Sequence, residues 1–408
     1  MGAITPPGFS EIAKQALMMP QESLLETKSK KNSLQIGIPK ETSYQENRIA
    51  LTPQSVHLLV EHGHEVLVES GAGRAANFSD NAYSECGARI VYDTKEVFQA
   101  DILMKVAPPS FDEIEMMKQG QTLVSAIQLA VVKEQYIKAL MAKKVTAISY
   151  EYLKDEWGVF TVIRSMSEIV GGTSILIAAE YLSNVSHGRG IMLGGISGIP
   201  PSEVVIIGAG TVGEFAAKTA IGLGAEVKVF DNSLYRLRRL QNNIGSRLFT
   251  SVIQPIVLKK ALATADVAVG AIYSENGRTP CIVSEEMVSS MKAGSVIIDV
   301  SIDQGGCFET SRVTNHDKPI FKKHDIIHYC VPNIASRVSR TASYALTNIF
   351  TPILISIGEA GGVKNMLWEK SGVRNGVYVY QGHLTNQHLS NLFKIPYKDL
   401  DLLVAARV

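Results

Sequence analysis

The sequence predicts an α/β protein with two Rossmann-like, doubly wound parallel-sheet domains, a cleft between them and a short N-terminal helical arm. Three observations carry this expectation. The chain has 408 residues, past the size at which one hydrophobic core stops growing. From Ile36 onward, short β-branched runs alternate with helical patterns, which implies mostly parallel sheets covered by helices. Gly208, Gly210 and Gly213 form G-x-G-x-x-G between an apolar strand run and a helix, the junction where a dinucleotide fold receives pyrophosphate.

In chain order, residues 1–33 hold "FSEIAKQALMM" at helical spacing and the polar linker "ETKSKKNS", and are read as an arm packing on the body or on a neighbouring subunit. "LQIGIP" predicts a strand, "TPQSVHLLVEHG" a helix starting near Thr52-Pro53, and "HEVLVES" the next strand. "RIVY", "DILMKV", "TLVSAI" and "VTAISYE" follow as further strands, with Ile102–Val106 read as one buried run. "SMSEIVGGTSILIAAEYLSN" predicts a long helix bridging two domains. A second α/β series then runs through "EVVIIGAG", "EVKVFD", "DVAVGAI", "GSVIIDVS" and "IIHYCV". "TASYALTNIFTPILISIGEA" predicts a long apolar helix returning to the first domain. The boundaries expected are 1–33 for the arm, 34–160 and 341–408 for a substrate domain, and 161–340 for a dinucleotide domain.

Composition excludes several classes. Forty basic and thirty-nine acidic residues leave a net charge of +1, so no charge footprint points to nucleic acid or an anionic membrane surface. No uninterrupted apolar run reaches the roughly 18 residues of a membrane span, and the N-terminus lacks a signal peptide's apolar core. Cys86, Cys281, Cys307 and Cys330 show no CxxC spacing, so reduced thiols in a cytoplasmic protein are expected, with no metal site. None of the nine histidines falls in a metal-like cluster.

The glycine motif has its full context. It follows "VVII", opens "VGEFAAKTAIGLG" and leads to "EVKVFD". The first glycine serves the tight turn, the second close approach to pyrophosphate, and the third helix–strand packing. Asp231, eighteen residues after Gly213, is placed to accept hydrogen bonds from ribose hydroxyls and to repel a 2′-phosphate, which favours NAD over NADP. Arg48, between the first strand and first helix, reads either as a fork for a substrate carboxylate or as a surface arginine. Asp303 and Asn333 follow strand ends, where α/β sheets bind ligands, and read either as working groups or as turn residues. Ser167 reads as a helix-cap serine or a phosphate contact.

Together "IGIPKETSYQENRIALTP", "GHEVLVESGAG", "SMSE", "VVIIGAGTVG", "SIDQGGCFETSR", "HYCVPN" and "TASYALTN" resemble the alanine dehydrogenase and transhydrogenase N-terminal family, from about Ile36 to the end of the chain. The resemblance implies a substrate domain built from both ends of the chain, a central NAD domain and a homohexamer. It also implies reversible oxidative deamination of L-alanine to pyruvate and ammonia. Carried over by position, Arg48 matches the arginine holding the substrate carboxylate, and Asp303 the active-site aspartate. Ser167, Thr211, Val212, Asp231, Arg236, Ile272, Ser301 and Ile302 match cofactor contacts, and Asn333 and Ile334 match residues beside the nicotinamide.

Two positions depart from the family pattern. Where the family reads Lys-Val-Lys-Glu-Pro, this chain has Lys105-Val106-Ala107-Pro108-Pro109, so the second, substrate-binding lysine is Ala107. Where the family has a histidine acid/base in "LHLA", this chain has Gln128, which takes up no proton near neutral pH. Three expectations follow: a variant alanine dehydrogenase whose proton work falls to Asp303, Lys105 or water; an oxidoreductase acting on another amino or imino acid; or an NAD(H)-binding module coupled to a partner. Catalytic candidates are therefore Asp303, Gln128 and Lys105, and substrate-binding candidates are Arg48, Lys105 and Asn333.

Overall fold

The computed structural model describes residues 33–129, 131–274 and 277–405, so the expected N-terminal arm lies outside the described residues. The first series supplies β1 (Gln35–Ile38), β2 (Glu65–Glu69), β3 (Arg89–Val91), β4 (Ile102–Met104), β5 (Thr122–Ser125) and β6 (Thr146–Ser149). After the helix Thr161–Leu182 come β7 (Glu203–Ile207), β8 (Glu226–Phe230), β9 (Phe249–Ser251), β10 (Val267–Gly270), β11 (Val296–Asp299), β12 (Ile320–Lys323) and β13 (Ile326–Tyr329). The helix Ser339–Glu359 then leads to β14 (Val377–Tyr380) and β15 (His383–Leu384).

Two sheets result, ordered β15-β14-β6-β5-β4-β1-β2-β3 and β12-β13-β11-β10-β7-β8-β9. Within each, the six parallel strands follow the 3-2-1-4-5-6 order of a doubly wound dinucleotide fold, reversing direction between β1 and β4 and between β7 and β10. Crevices at the carboxyl ends of strands open at such reversals, which fixes where ligands sit. The strand residues of β4, β5, β6, β10 and β11 are buried on both faces, as helices on both sides of a parallel sheet require.

The parallel architecture expected from the alternation is present, with antiparallel edges added. β14 and β15 run antiparallel on the first sheet, and β12 runs antiparallel to β13 on the second. The strand expected to reach Val106 ends at Met104, although the Lys105 N–H still donates to Val124 O at 2.9 Å.

A second difference concerns the bridging helix. Thr161–Leu182 spans 22 residues with mean hydropathy 1.3, so among the described residues it is long and apolar enough to cross a membrane by length and composition. Scattered polar residues hide that length from a search for an unbroken apolar run. Ile175, Ile177, Ala178 and Leu182 of this helix are buried in the core of the second sheet. At Gly171 a Cβ would lie 2.4 Å from Val212 O, so the helix Thr211–Gly222 crosses closely there.

Candidate functional site

The glycine loop separates into two structural glycines and one open one. Gly208 has φ +113°, and a Cβ on it would meet Ala271 O at 2.3 Å. A Cβ on Gly213 would meet Gly208 O at 1.8 Å, so only glycine permits the helix to start this close to β7. A Cβ on Gly210 meets nothing within 4 Å. Gly210 is the N-cap of the helix Thr211–Gly222, and the first-turn N–H groups of a helix lack intrahelical partners, the arrangement that receives phosphate in dinucleotide folds.

Asp231 ends β8 with both oxygens engaged, accepting from Ala209 N–H at 2.7 Å and Ser233 N–H at 2.7 Å. It thereby pins the glycine loop to the second strand, where a ribose is expected. Arg236 Nη1 stands 3.8 Å from the same carboxylate. Ile272 N–H donates to Ser301 Oγ at 3.0 Å, which joins the loops after β10 and β11, and Ile302 and Ile334 are buried beside them.

Buried Asp299, at the end of β11, organises the loop that presents Asp303. It accepts from Ser301 N–H at 3.1 Å, Cys307 N–H at 3.0 Å and Ser311 Oγ at 2.6 Å. Asp303 keeps one face open to solvent, yet protein crowds its other sides. That burial pushes its carboxyl up to about 6, against the opposing pull of the Asn333 N–H and the Arg48 charge. Asn333 adopts the left-handed conformation, φ +57° and ψ +47°, where asparagine is tolerated.

From the first sheet, the loop after β1 brings Arg48 to this place. Its side chain is 11% exposed, and its Nε and Nη2 donate to Glu46 at 2.7 and 2.6 Å in a bidentate pair. Burial alone disfavours the charged guanidinium, but the Glu46 pairing outweighs it and holds the guanidinium above its ordinary pKa. Nη1 points to the Met166 sulfur at 3.6 Å, one residue before half-buried Ser167 on the bridging helix. Glu46 also accepts from Asn333 Nδ2 at 3.0 Å. Arg48, Asn333 and Asp303 therefore share one site, formed by loops at the carboxyl ends of both sheets.

Lys105 is placed differently from its expected role. Its side chain is 0% exposed, with Nζ 2.9 Å from Glu113 Oε1, 3.4 Å from Lys40 O and 3.5 Å from Glu41 Oε2. Enclosed in this way, the ammonium is turned to two carboxylates and a carbonyl of the protein, unlike the substrate-facing lysine expected for a catalytic or substrate-binding role. The cause is local. Ser110 and Glu113 form a capping box at the helix Phe111–Met116, and the same glutamate that closes the cap receives the lysine. Glu41 accepts from the Val106 and Ala107 N–H groups, and burial pushes its carboxyl up to about 7. Ala107, 3% exposed, is thus a backbone donor at the position where the resemblance implies a lysine.

Gln128 is exposed, at φ +52°. Its N–H and that of Ile127 donate to Glu151 Oε2 at 3.1 and 2.7 Å, so Glu151 holds the corner on which a histidine would stand. Glu41, Glu46, Glu113, Asp299 and Glu151 escape sequence reading because each acts through an intramolecular contact. Two local signals did exist: Glu46 precedes Arg48 by two residues in one loop, and Ser110–Glu113 has capping-box spacing.

Comparison with known proteins shows the family. Residues 37–170 match the alanine dehydrogenase/PNT N-terminal domain, and residues 174–387 match the C-terminal domain. The chain is 41% identical over 364 residues to an alanine dehydrogenase of Methanococcus maripaludis, covering 89% of this chain and 97% of that protein. It is 41% identical over 351 residues to the Bacillus subtilis alanine dehydrogenase, covering 86% and 92%. Among solved structures, an L-alanine dehydrogenase superposes with TM-score 0.84 at 36% identity, over 88% of this chain and 99% of that one. A transhydrogenase from Sinorhizobium meliloti superposes with TM-score 0.75 at 22% identity, over 87% and 99%, a likeness of fold.

Proposed function

The chain belongs to the alanine dehydrogenase/PNT family, and from that premise we propose that it catalyses the NAD-dependent, reversible oxidative deamination of L-alanine to pyruvate and ammonia. The observation that carries this reading is the convergence of Arg48, Asn333 and Asp303 where both sheets present their carboxyl ends. Residues 34–160 with 341–408 are read as the substrate unit and 161–340 as the dinucleotide unit. NAD, held along Gly208–Gly213 and by Asp231, supplies the hydride acceptor.

Arg48 fixes the substrate carboxylate, and this positions the α-hydrogen for transfer. Asp303 takes the proton of the water that adds to the iminium carbon and returns it as ammonia leaves. A carboxyl near 6 exchanges protons readily at neutral pH, which suits a site whose family histidine is Gln128. Lys105, Glu113 and Glu41 brace the strand end behind the substrate. Exposed Val185, Met192, Ile196 and Ile199 support self-association, as a hexamer by resemblance, and the free thiols suit a cytoplasmic setting.

Changing Arg48 to alanine tests the reading. KM for alanine should rise by about two orders of magnitude, the scale of a lost charge-assisted pair, while KM for NAD moves little. Equal losses for both substrates would contradict it.

A further inference from the structure

The loop after β1 carries a carboxylate that the mechanism above does not use. Glu46, with a side chain 5% exposed, lies at the centre of the site and receives four hydrogen bonds. Arg48 gives it three, from the backbone N–H at 3.0 Å, Nε at 2.7 Å and Nη2 at 2.6 Å. The fourth comes from Asn333 Nδ2 on the second sheet's side at 3.0 Å. The Asn333 backbone N–H in turn favours the charged form of the Asp303 carboxyl, which sets the two residues side by side.

Two carboxylate oxygens offer about four acceptor sites, and four donors fill them. Glu46 therefore has no lone pair left for a substrate ammonium or a water. Being two residues from Arg48 and bonded to its backbone, it is also a fixture of the loop, unlike a carboxylate that merely waits where the substrate belongs. Its pairing uses the Nε–Nη2 edge of the guanidinium. No carboxylate among the described residues takes the Nη1–Nη2 edge, where Nη1 has only the Met166 sulfur at 3.6 Å, a weak acceptor. That edge remains for an incoming carboxylate in the bidentate geometry an arginine fork favours.

We propose that Glu46 is the positioning residue of this site, fixing which edge of Arg48 meets the substrate and tying that grip to Asp303 through Asn333. The inference rests on the assignment of Arg48 and Asp303 given under Proposed function. It makes one carboxylate the link between the two halves of the site, so carboxylate binding and proton transfer keep a common register.

The test is Glu46→Gln, which keeps the shape but loses the second anionic acceptor. KM for alanine should rise at least tenfold, and the Kd of pyruvate for the NADH complex, read by NADH fluorescence, should weaken by a similar factor. KM for NAD should stay within twofold. An alanine KM that is unchanged or lower overturns the proposal, and a lower value would mean that Glu46 competes for the fork. Parallel losses for alanine and NAD with a lowered melting temperature would reduce it to a structural role, overturning it as well. If the unaltered protein binds pyruvate but turns over no alanine, the reaction assigned above fails, and the pyruvate Kd of the variant still decides the role of Glu46. Should Glu46→Gln not fold, Asn333→Gly keeps the left-handed turn and removes the amide arm alone. A fall in kcat of at least fivefold supports the link to Asp303, and an unchanged kcat overturns it.

Discussion

Asp303 carries opposite demands at the scale of a single residue. Burial favours its neutral form, and Asp299 adds to that, while Arg48 and the Asn333 N–H favour the carboxylate. The net position near 6 in the free protein predicts that kcat/KM for deamination rises with pH through about 6, as the base form accumulates, and then levels off. Asp303→Asn should abolish that limb and lower kcat by about 10²- to 10⁴-fold. Stability should move the other way. A carboxyl whose folded pKa lies above its ordinary 3.8 favours the fold fully below that ordinary value, and the contribution is lost as pH rises through about 6. Asp303→Asn should therefore melt higher than the unaltered protein above pH 6 and no higher below pH 4; thermal melts at several pH values check this. Asp303, Arg48 and Asn333 were legible as candidates because they follow strand ends. The burial of Lys105 was legible from the run Ile102–Val106, but its ion pairing was not, because its partners Glu41 and Glu113 meet it only once the strand end, the loop after β1 and the capping box have folded together.

At the scale of elements, the glycine loop gives a contrast between two substitutions. Gly213→Ala places a Cβ 1.8 Å from Gly208 O and should sharply lower the melting temperature. Gly210→Ala projects into open space at φ −73°, so the fold should survive while NADH affinity falls. Equal melting temperatures for the two variants, or unaltered NADH binding by Gly210→Ala, would contradict the assignment of that space to pyrophosphate. The βαβ elements were read from local pattern because helix and strand periods differ. β14 was not, although Val377–Tyr380 is a compact apolar run. Its partner β6 lies far back in the chain, and a four-residue run without alternation does not announce which edge it joins.

At the scale of the whole molecule, the return of β14 and β15 to the first sheet leaves the second sheet as an insertion between two parts of the first. The loop after β1 then reaches the second sheet's side through several bonds. Tyr44 meets Asp317 at 2.6 Å, His316 N–H meets Gln45 at 2.8 Å, and Asn47 N–H meets Ser336 at 2.8 Å. The segment holding Arg48 and Glu46 is thus part of the junction between the two sheets, which explains how residues nearly three hundred positions apart in the chain form one site. Ala107 and Gln128 stand where the resemblance implies a lysine and a histidine, so the proposed function requires that Arg48 and Asp303 suffice for chemistry. The direct measurement is NADH formation by the purified protein with NAD and each of the twenty amino acids, and NADH consumption with pyruvate and ammonia. Turnover of L-alanine in both directions, well above that of the other amino acids, is the predicted result; tight NADH binding with no turnover of any amino acid would contradict it.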